Sequence, residues 1–445
     1  MTKDMTTGNP WKIIIFFSIP VLLGNLFQQF YNMADTIIVG QILGEDALAA
    51  VGATGSIIFL VLGFAMGIAQ GFGILISHAF GARDHKLLKH YVATSLVLGL
   101  VISLLITVLT VWESRNLLIL MNTPENILDM ANDYITVIYA GITATMAFNI
   151  TSAILRGLGD SKTPLFFLLL ASALNIILDL VFILVFKTGP EGAAYATVIA
   201  QGVSAVLCFV YMFSRFELLK IHREDFYFDL KSIGHMLAIG IPMSINYSVT
   251  AIGAMVLQSA VNVFGSSVVA AFTAANKVEN LATQTMPTLG ITMSTYCGQN
   301  LGAKKYNRIF DGMKKAFGIA LVISVIGFFI EVVFGKYIVR WFLSEADPHV
   351  IQYSTSYLNT VACFLLPLAM IFLYRNALQG LNRPLIPMLS GLFETVCRIM
   401  VVWLFLKPFG YATVCFAGPA AWVGAGIPLL ITYLLWKKKM QKFIS

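Results

Sequence analysis

Residues 13–39 read IIIFFSIPVLLGNLFQQFYNMADTIIV and decide the class of fold. The stretch is long enough to cross a bilayer, since a transmembrane helix needs about 20 predominantly apolar residues. Asp35 is its only side chain of fixed charge. A carboxylate within a membrane costs about 2.5–3.5 kcal/mol on insertion scales, so it usually faces a cavity and has a function. Asp35 is therefore the first candidate functional residue.

The composition is that of an integral membrane protein. Of 445 residues, 58% are hydrophobic and 11% are charged, against about 25% charged in an average soluble domain. Apolar runs long enough to span a bilayer recur along the chain. We predict an all-α membrane protein with twelve transmembrane helices, at 13–39, 48–80, 91–112, 129–155, 164–186, 192–214, 233–263, 267–300, 313–336, 351–379, 385–407 and 411–436.

The distribution of Lys and Arg predicts that both termini are cytoplasmic. With that orientation the cytoplasmic segments carry most of the 29 Lys and Arg residues, and the external loops carry only Arg115, Lys187, Lys336, Arg340 and Lys407. This asymmetry follows the positive-inside rule. The net charge of +7 is thus a signal of topology, and we expect the lipid bilayer, not nucleic acid, as the partner of these basic residues.

The two halves of the sequence form an internal repeat with an offset near 221–227 residues. Matching positions include Gly44 with Gly265, Leu155 with Leu378, and Pro20 with Pro242. We predict an amino-terminal six-helix lobe, 1–214, a cytoplasmic linker, 215–232, and a carboxy-terminal six-helix lobe, 233–445. Six spans per lobe give a parallel repeat, an arrangement in which secondary transporters place sites between or within the halves.

Intramembrane acids distinguish the two halves. The counterpart of Asp35 in the second half is Val256 or Leu257, and that of Asp179 is Val402. The halves share glycine, alanine and proline, which serve helix packing and bending. Because the second half lacks these two acids, we interpret them as functional residues of the amino-terminal lobe and not as shared packing residues.

Asp179 heads a second group of polar residues. Asn175 precedes it by four residues on the same helix face, and Thr197 lies in the next span. At 1.5 Å per residue, Asp35, Asp179 and Thr197 fall at similar depth in the outer half of the membrane. Two neighbouring carboxylates do not both ionise easily, so one proton or one cation between them relieves the repulsion. The alternative is that each acid braces the bundle through local hydrogen bonds.

Other intramembrane charges have a simpler interpretation. Glu394 and Arg398 are four residues apart and are expected to pair on one helix face. Lys277, Glu279 and Glu331 are expected to pair internally or to extend toward the interface. No GxxxxGK[ST] loop, metal-ligand spacing or nucleophile–base set occurs. We therefore expect neither an enzyme nor a cofactor, and the energy for transport would come from an ion gradient.

Several motifs together resemble the multidrug and toxic compound extrusion (MATE) family. They are Pro20, Gln28-Gln29, Tyr31-Asn32, Asp35 and Val39-Gly40 in the first span, GARDHK at 81–86, LRGLGDSKTP at 155–164 and its echo LQGLNRP at 378–384. The resemblance covers essentially the whole chain. It implies twelve helices in two six-helix lobes and exchange of Na⁺ or H⁺ for bulky, often cationic, amphipathic compounds.

The branch of this family that looks most similar is DinF-like, and it implies particular site residues. A cation site in the amino-terminal lobe would comprise Asp35, Asn175, Asp179 and Thr197, with Na⁺ as a possible metal, and Tyr134 would support it. Polar cavity residues that contact substrate would be Gln28 and Asn149. The NorM-like branch relies on acids in spans seven and ten, which this sequence lacks.

The sequence thus predicts a multidrug efflux antiporter of the bacterial inner membrane that acts as a monomer. The alternative is a flippase for lipid-linked sugars with the same two-lobe plan. A flippase would need a cationic cavity for pyrophosphate, and only Lys277 and Arg398 qualify as intramembrane cations. A membrane-embedded enzyme or a sensor would need catalytic spacing or a soluble signalling domain.

Overall fold

The computed structural model describes residues 4–121, 123–220, 222–227, 229–342 and 348–444. Over these residues the chain is helical, with no β-strand. The α-helices are α1 (Pro10–Leu43), α2 (Glu45–Gly81), α3 (His85–Leu120), α4 (Glu125–Ala140), α5 (Ile142–Gly157), α6 (Lys162–Leu180), α7 (Glu191–Arg215), α8 (Leu230–Asn262), α9 (Ser266–Thr283), α10 (Thr285–Gly302), α11 (Tyr306–Phe329), α12 (Gly335–Phe342), α13 (Pro348–Ala362), α14 (Leu365–Gly380), α15 (Leu385–Phe409) and α16 (Tyr411–Ile444).

Two π-helical turns interrupt this pattern. The first, Val181–Val185, continues α6, and the second, Ile330–Phe334, joins α11 to α12. Short 3₁₀ turns at Glu217–Leu219 and Arg223–Asp225 lie in the linker. Single π turns inside helices often occur at functional sites. The first π turn begins two residues after the buried Asp179, and the second contains the buried Glu331.

The helices confirm the prediction of an all-α membrane protein. Among the described residues, nine helical segments are long and apolar enough to span a membrane, and two bent pairs raise the number to eleven. The pairs are Glu125–Ala140 with Ile142–Gly157, bent by 44°, and Val350–Ala362 with Leu365–Gly380, bent by 53°. They correspond to predicted spans four and ten. Predicted span eight, 267–300, is formed by α9 and α10, which meet at Gln284.

The bend in span four has a steric cause. Gly141 separates α4 from α5, and a Cβ atom at this position would overlap the side chain of Val198 on α7. The close approach of α7 therefore requires glycine at the bend. The sequence predicts one continuous helix for this span, because glycine is frequent inside membrane helices and does not by itself predict a break.

The chain forms two compact units. The first unit contains Ile19–Ser248, and the second contains Met5–Ser18 and Val249–Ser445. The boundaries after Ser18 and after Ser248 fall inside helices, α1 and α8, close to Pro20 and Pro242. A proline inside a helix removes a backbone hydrogen bond and favours a kink. The assignment of separate functional roles to 1–214, 215–232 and 233–445 stays a prediction.

The first unit buries an apolar core between α2, α3 and α5. Phe72, Ile76, Leu88 and Leu155 are among its fully buried side chains. Leu105, Val108 and Trp112 on α3 are instead 59–78% exposed. A broad exposed apolar face marks contact with an apolar partner, which for a helix of this length is the lipid.

Candidate site: paired carboxyl groups in the first unit

The structure brings Asp35 and Asp179 together. Asp35 lies in the carboxy-terminal third of α1, and Asp179 lies one residue before the end of α6. Asp179 is fully buried and Asp35 is partly buried. Their carboxyl groups are within hydrogen-bonding reach of each other. Because two carboxylates only accept hydrogen bonds, a hydrogen bond between them needs one shared proton.

The oxygens of this pair lack donors. Oδ1 of Asp35 and both carboxyl oxygens of Asp179 are buried, and none has a hydrogen-bond partner among the described residues. Buried polar atoms are nearly always satisfied, so each exception calls for a physical reason. A bound proton or cation is such a reason, since it would neutralise the pair and occupy these acceptors.

Asn175 and Thr197 form the second part of the site. Nδ2 of Asn175 donates a hydrogen bond to Oγ1 of Thr197 over 3.2 Å, between the packed helices α6 and α7. This bond fixes the orientation of the amide. Oδ1 of Asn175 is buried without a partner among the described residues. The amide thus presents a free acceptor one helical turn from Asp179.

Tyr31 and Gln201 extend the site, and the sequence analysis did not assign either of them to it. Tyr31 lies close enough to Thr197 and Gln201 to interact with them, and Oγ1 of Thr145 on α5 donates a hydrogen bond to Oε1 of Gln201. Their spacing along the chain is the sequence feature that could have indicated these two residues. Tyr31 precedes Asp35 by four residues, and Gln201 follows Thr197 by four, so each pair shares a helix face.

Tyr134 closes one side of the site. It is 7% exposed and lies close enough to Asp35 and Asp179 for an electrostatic interaction. Around it pack the apolar side chains of α1, α2, α4, α7 and the first π turn, namely Val39, Ala47, Ile138, Ile183, Ala193 and Ala194. This wall keeps the carboxyl pair in a medium of low polarity, which strengthens any interaction with a cation.

The structure does not join Gln28 and Asn149 to the carboxyl pair. Gln28 is partly buried and lies two turns before Asp35 on α1. Asn149 is partly buried one turn after Thr145 on α5. No described hydrogen bond links either side chain to Asp35 or Asp179. Their assignment to a substrate cavity stays a prediction.

The available ligand atoms are all oxygens. Carboxylate, amide and hydroxyl oxygens suit a proton or an alkali-metal ion better than a transition metal. Among the described residues, no group of three or more His, Cys, Asp and Glu side chains is placed to hold a metal ion. The ligand atoms of the site are thus of the kind that bind a proton or an alkali-metal ion.

In the second unit, the buried arginines are paired. Glu394 accepts hydrogen bonds from Arg375 over 2.7 Å and from Arg398 over 3.2 Å, and all three side chains are buried. The predicted pairing of Glu394 with Arg398 is confirmed. The involvement of Arg375 was not predicted, because it comes from another helix, α14.

Comparison with known proteins places the chain in a family. The MatE family model matches residues 20–181 and 242–404, once in each half of the repeat. The probable multidrug resistance protein YpnP of Bacillus subtilis is 31% identical over 435 residues, which cover 97% of this chain and 94% of that protein. The probable multidrug resistance protein YoeA of the same organism is 28% identical over 457 residues, 99% of this chain and 97% of that protein.

A solved structure agrees with these relatives. A crystal structure of a MATE protein in complex with MaL6 superposes with a TM-score of 0.92 at 25% identity, and the match covers 99% of this chain and 100% of that one. The family match spans most of the chain and includes α1 and α6, which carry Asp35 and Asp179. Family, fold and relatives agree that this chain is a multi-pass membrane transporter and not an enzyme, and that it belongs to the MatE family.

Proposed function

We propose that the chain is a secondary active efflux antiporter that exports amphipathic, often cationic, compounds in exchange for Na⁺ or H⁺. The observation that carries this proposal is the contact between Asp35 and Asp179 inside a membrane-spanning bundle. Two acids without a basic partner at this place are costly unless they bind a cation. The names of the two Bacillus relatives, which describe probable multidrug resistance proteins, support the export of drugs.

In this proposal the carboxyl pair binds the coupling cation and the substrate in turn. Asp35 and Asp179 provide the charge, and Oδ1 of Asn175 and Oγ1 of Thr197 act as neutral ligands. Binding of the cation removes the negative charge that attracts a cationic substrate. Release of the cation restores that charge. The cation and the substrate therefore compete for one site, which is what antiport requires.

The position of Pro20 supports the proposal that α1 moves during transport. The boundary between the two units crosses α1 between Ser18 and Ile19, next to this proline. A kink at Pro20 would allow the outer part of α1, with Asp35, to shift when the cation binds. The partly buried Gln28 lies between Pro20 and Asp35, so the same movement would change the shape of the proposed substrate cavity near Gln28 and Asn149.

The charge balance of the second unit favours efflux over lipid-linked sugar flipping. A pyrophosphate group needs several free cations. Arg375 and Arg398 are both paired with Glu394, and Lys277 is exposed on α9. We place the protein in the bacterial inner membrane with both termini in the cytoplasm, an orientation that the Lys and Arg distribution supports.

Ethidium efflux from cells tests the proposal. Asp35→Asn keeps the size of the side chain and removes its charge, so efflux should fall to the level of cells without the protein. Asp46→Asn, on the exposed start of α2, is the matched control and should retain efflux. Membrane levels of both variants are measured by immunoblot. Undiminished efflux by Asp35→Asn at normal levels would refute the proposal.

A further inference from the structure

The second unit contains its own pair of acids beside a tyrosine. Glu279 lies on α9, Glu331 in the second π turn and Tyr357 on α13, and these three elements pack against one another. The hydroxyl of Tyr357 donates a hydrogen bond to Oε2 of Glu279 over 2.8 Å. Glu331 lies within the range of electrostatic interaction with Glu279. None of these residues belongs to the site in the first unit.

Glu331 is the unusual member of this group. It is 1% exposed, and neither of its carboxyl oxygens has a hydrogen-bond partner among the described residues. The charged group that acts on it is another acid, Glu279. An ionised carboxylate without a donor or a cation is strongly disfavoured in such a place, so the group becomes neutral instead.

The charged groups connected to Glu331 become neutral overall when they bind one proton. Arg398 on α15 acts on Glu279 and on Tyr357, and it is bound to Glu394, which also binds Arg375. The connected group therefore holds three carboxyl groups and two guanidinium groups. With all five ionised, its net charge is −1. A single proton makes the group neutral, and it is needed where no counter-ion reaches, at Glu331.

The acids are specific to this unit, whereas the tyrosine is shared. Tyr357 and Tyr134 lie 223 residues apart, the same separation as Leu378 and Leu155, so the two tyrosines occupy equivalent positions of the repeat. The positions equivalent to Glu279 and Glu331 in the first half are Ile58 and Thr110. The counterparts of Glu279 and Glu331 in the first half are therefore not the acids of the first site, which lie on other helices.

A cavity lined by polar side chains lies near this group of residues. It has a volume of about 290 Å³ and lies between α13 and α16, where Gln352, Ser356 and Tyr411 line it. Tyr411 also acts on Tyr357. Tyr411 therefore borders this cavity and lies within electrostatic range of Tyr357, which binds Glu279. Protons can move along such chains of hydroxyl groups when water joins them.

We propose that Glu279, Glu331 and Tyr357 form a proton-binding site in the second unit, in which the two carboxyl groups hold one proton and Tyr357 fixes Glu279 as an acceptor. The proton comes from water, and no covalent bond other than O–H forms or breaks. A proton fits better than a metal ion because these three side chains offer carboxyl and phenol oxygens, without the amide and aliphatic hydroxyl oxygens found beside Asp35 and Asp179. The proposal does not rest on the efflux function.

Infrared difference spectroscopy of the full-length protein in lipid nanodiscs tests this site. The background is Asp35→Asn/Asp179→Asn, which removes the carboxyl groups of the first site. In this background, with no substrate or sodium present, a C=O band of a protonated carboxyl group should remain at neutral pH. Glu331→Gln should remove this band. Glu279→Gln should leave the band in place with a changed frequency, because Glu331 stays buried without a donor or a counter-ion among the described residues.

Two controls keep the test decisive. Glu45→Gln, on the exposed start of α2, should leave the band unchanged. Tyr357→Phe keeps both carboxyl groups, so the band should persist but change its frequency as the hydrogen bond to Glu279 is lost. The proposal is overturned if the band is absent from the double-variant background, or if it survives Glu331→Gln. It is also overturned if sodium chloride at constant pH removes the band.

Discussion

Tyr134 and Tyr357 occupy equivalent positions of the internal repeat, and each is buried beside a pair of acids. Tyr134 is 7% exposed and Tyr357 is 4% exposed. The acids come from different helices in the two units: α1 and α6 for Asp35 and Asp179, α9 and the second π turn for Glu279 and Glu331. The repeat has thus kept the tyrosine while the charged residues around it diverged.

Asp179→Asn should make the stability of the protein less dependent on pH. When both acids of the first site are ionised, their repulsion destabilises the folded state, and a shared proton removes that cost. The wild-type protein should therefore lose stability as pH rises through the titration of the pair, and Asp179→Asn should lose less. Thermal unfolding in detergent between pH 5 and 9, without sodium, measures the difference. If the two proteins lose stability equally as pH rises, repulsion between the two carboxylates does not destabilise the folded state.

Thr197→Val should weaken binding of the coupling cation. The substitution removes one oxygen ligand and the acceptor that orients Asn175 through the 3.2 Å hydrogen bond. A hydrogen bond contributes about 0.5–1.5 kcal/mol net, so the cation concentration for half-maximal transport should rise by roughly 2- to 12-fold. Thr197→Ser keeps the hydroxyl and should behave almost as the wild type. A Val variant with unchanged cation dependence would exclude Thr197 as a ligand.

Gly141→Ala should destabilise the first unit. Its Cβ atom would overlap Val198 at the bend between α4 and α5, and overpacking of this kind costs about 1–3 kcal/mol. Gly202→Ala is the matched control, because its Cβ atom would lie 3.7 Å from Ala144, an ordinary contact. The midpoints of thermal unfolding should separate the two variants. If both unfold at the wild-type temperature, the bend does not depend on glycine.

Asp229 should stabilise the start of α8 in its ionised form. A hydrogen bond from the hydroxyl of Ser232, and further ones from the backbone N–H groups of Lys231 and Ser232, lower the pKa of Asp229. Because the pKa is lower in the folded state, the stabilisation is present above the ordinary pKa of Asp. It disappears as pH falls through the lowered value. Asp229→Ala should therefore be less stable than the wild type at neutral pH and equally stable in strong acid.

The thermal unfolding of Asp229→Ala between pH 2 and 7 gives this comparison. Asp225→Ala, in the same linker, is a control for loss of an acid that does not cap α8. A constant difference between Asp229→Ala and the wild type at every pH would mean that the charge of Asp229 contributes nothing.

The sequence was enough to predict the fold class and the charged part of the site. Asp35 and Asp179 stand out because an acid is costly in an apolar helix, and the repeat separated them from shared packing residues. Tyr31 and Gln201 could not be assigned from sequence, since uncharged polar residues are common in membrane helices. Their roles depend on how α1, α5 and α7 pack.

The second pair of acids shows the same limit. Glu279 and Glu331 were recognised as intramembrane charges, but spacing along the chain cannot show that α9 meets the second π turn. The bends at Gly141 and Phe364 were also missed, because a break inside a long apolar segment depends on the neighbouring helix. At Gly141 that neighbour is Val198 on α7.

Substrate-driven ion flux in proteoliposomes tests the central claim, that Asp35 and Asp179 bind the coupling ion, most directly. Purified wild type, Asp35→Asn and Asp179→Asn are reconstituted at equal density, and ethidium is added with either a sodium gradient or a proton gradient present. We expect wild type to move one of these ions against ethidium, and both variants to move neither. Ion flux coupled to ethidium in both variants, at the wild-type rate, would contradict the account.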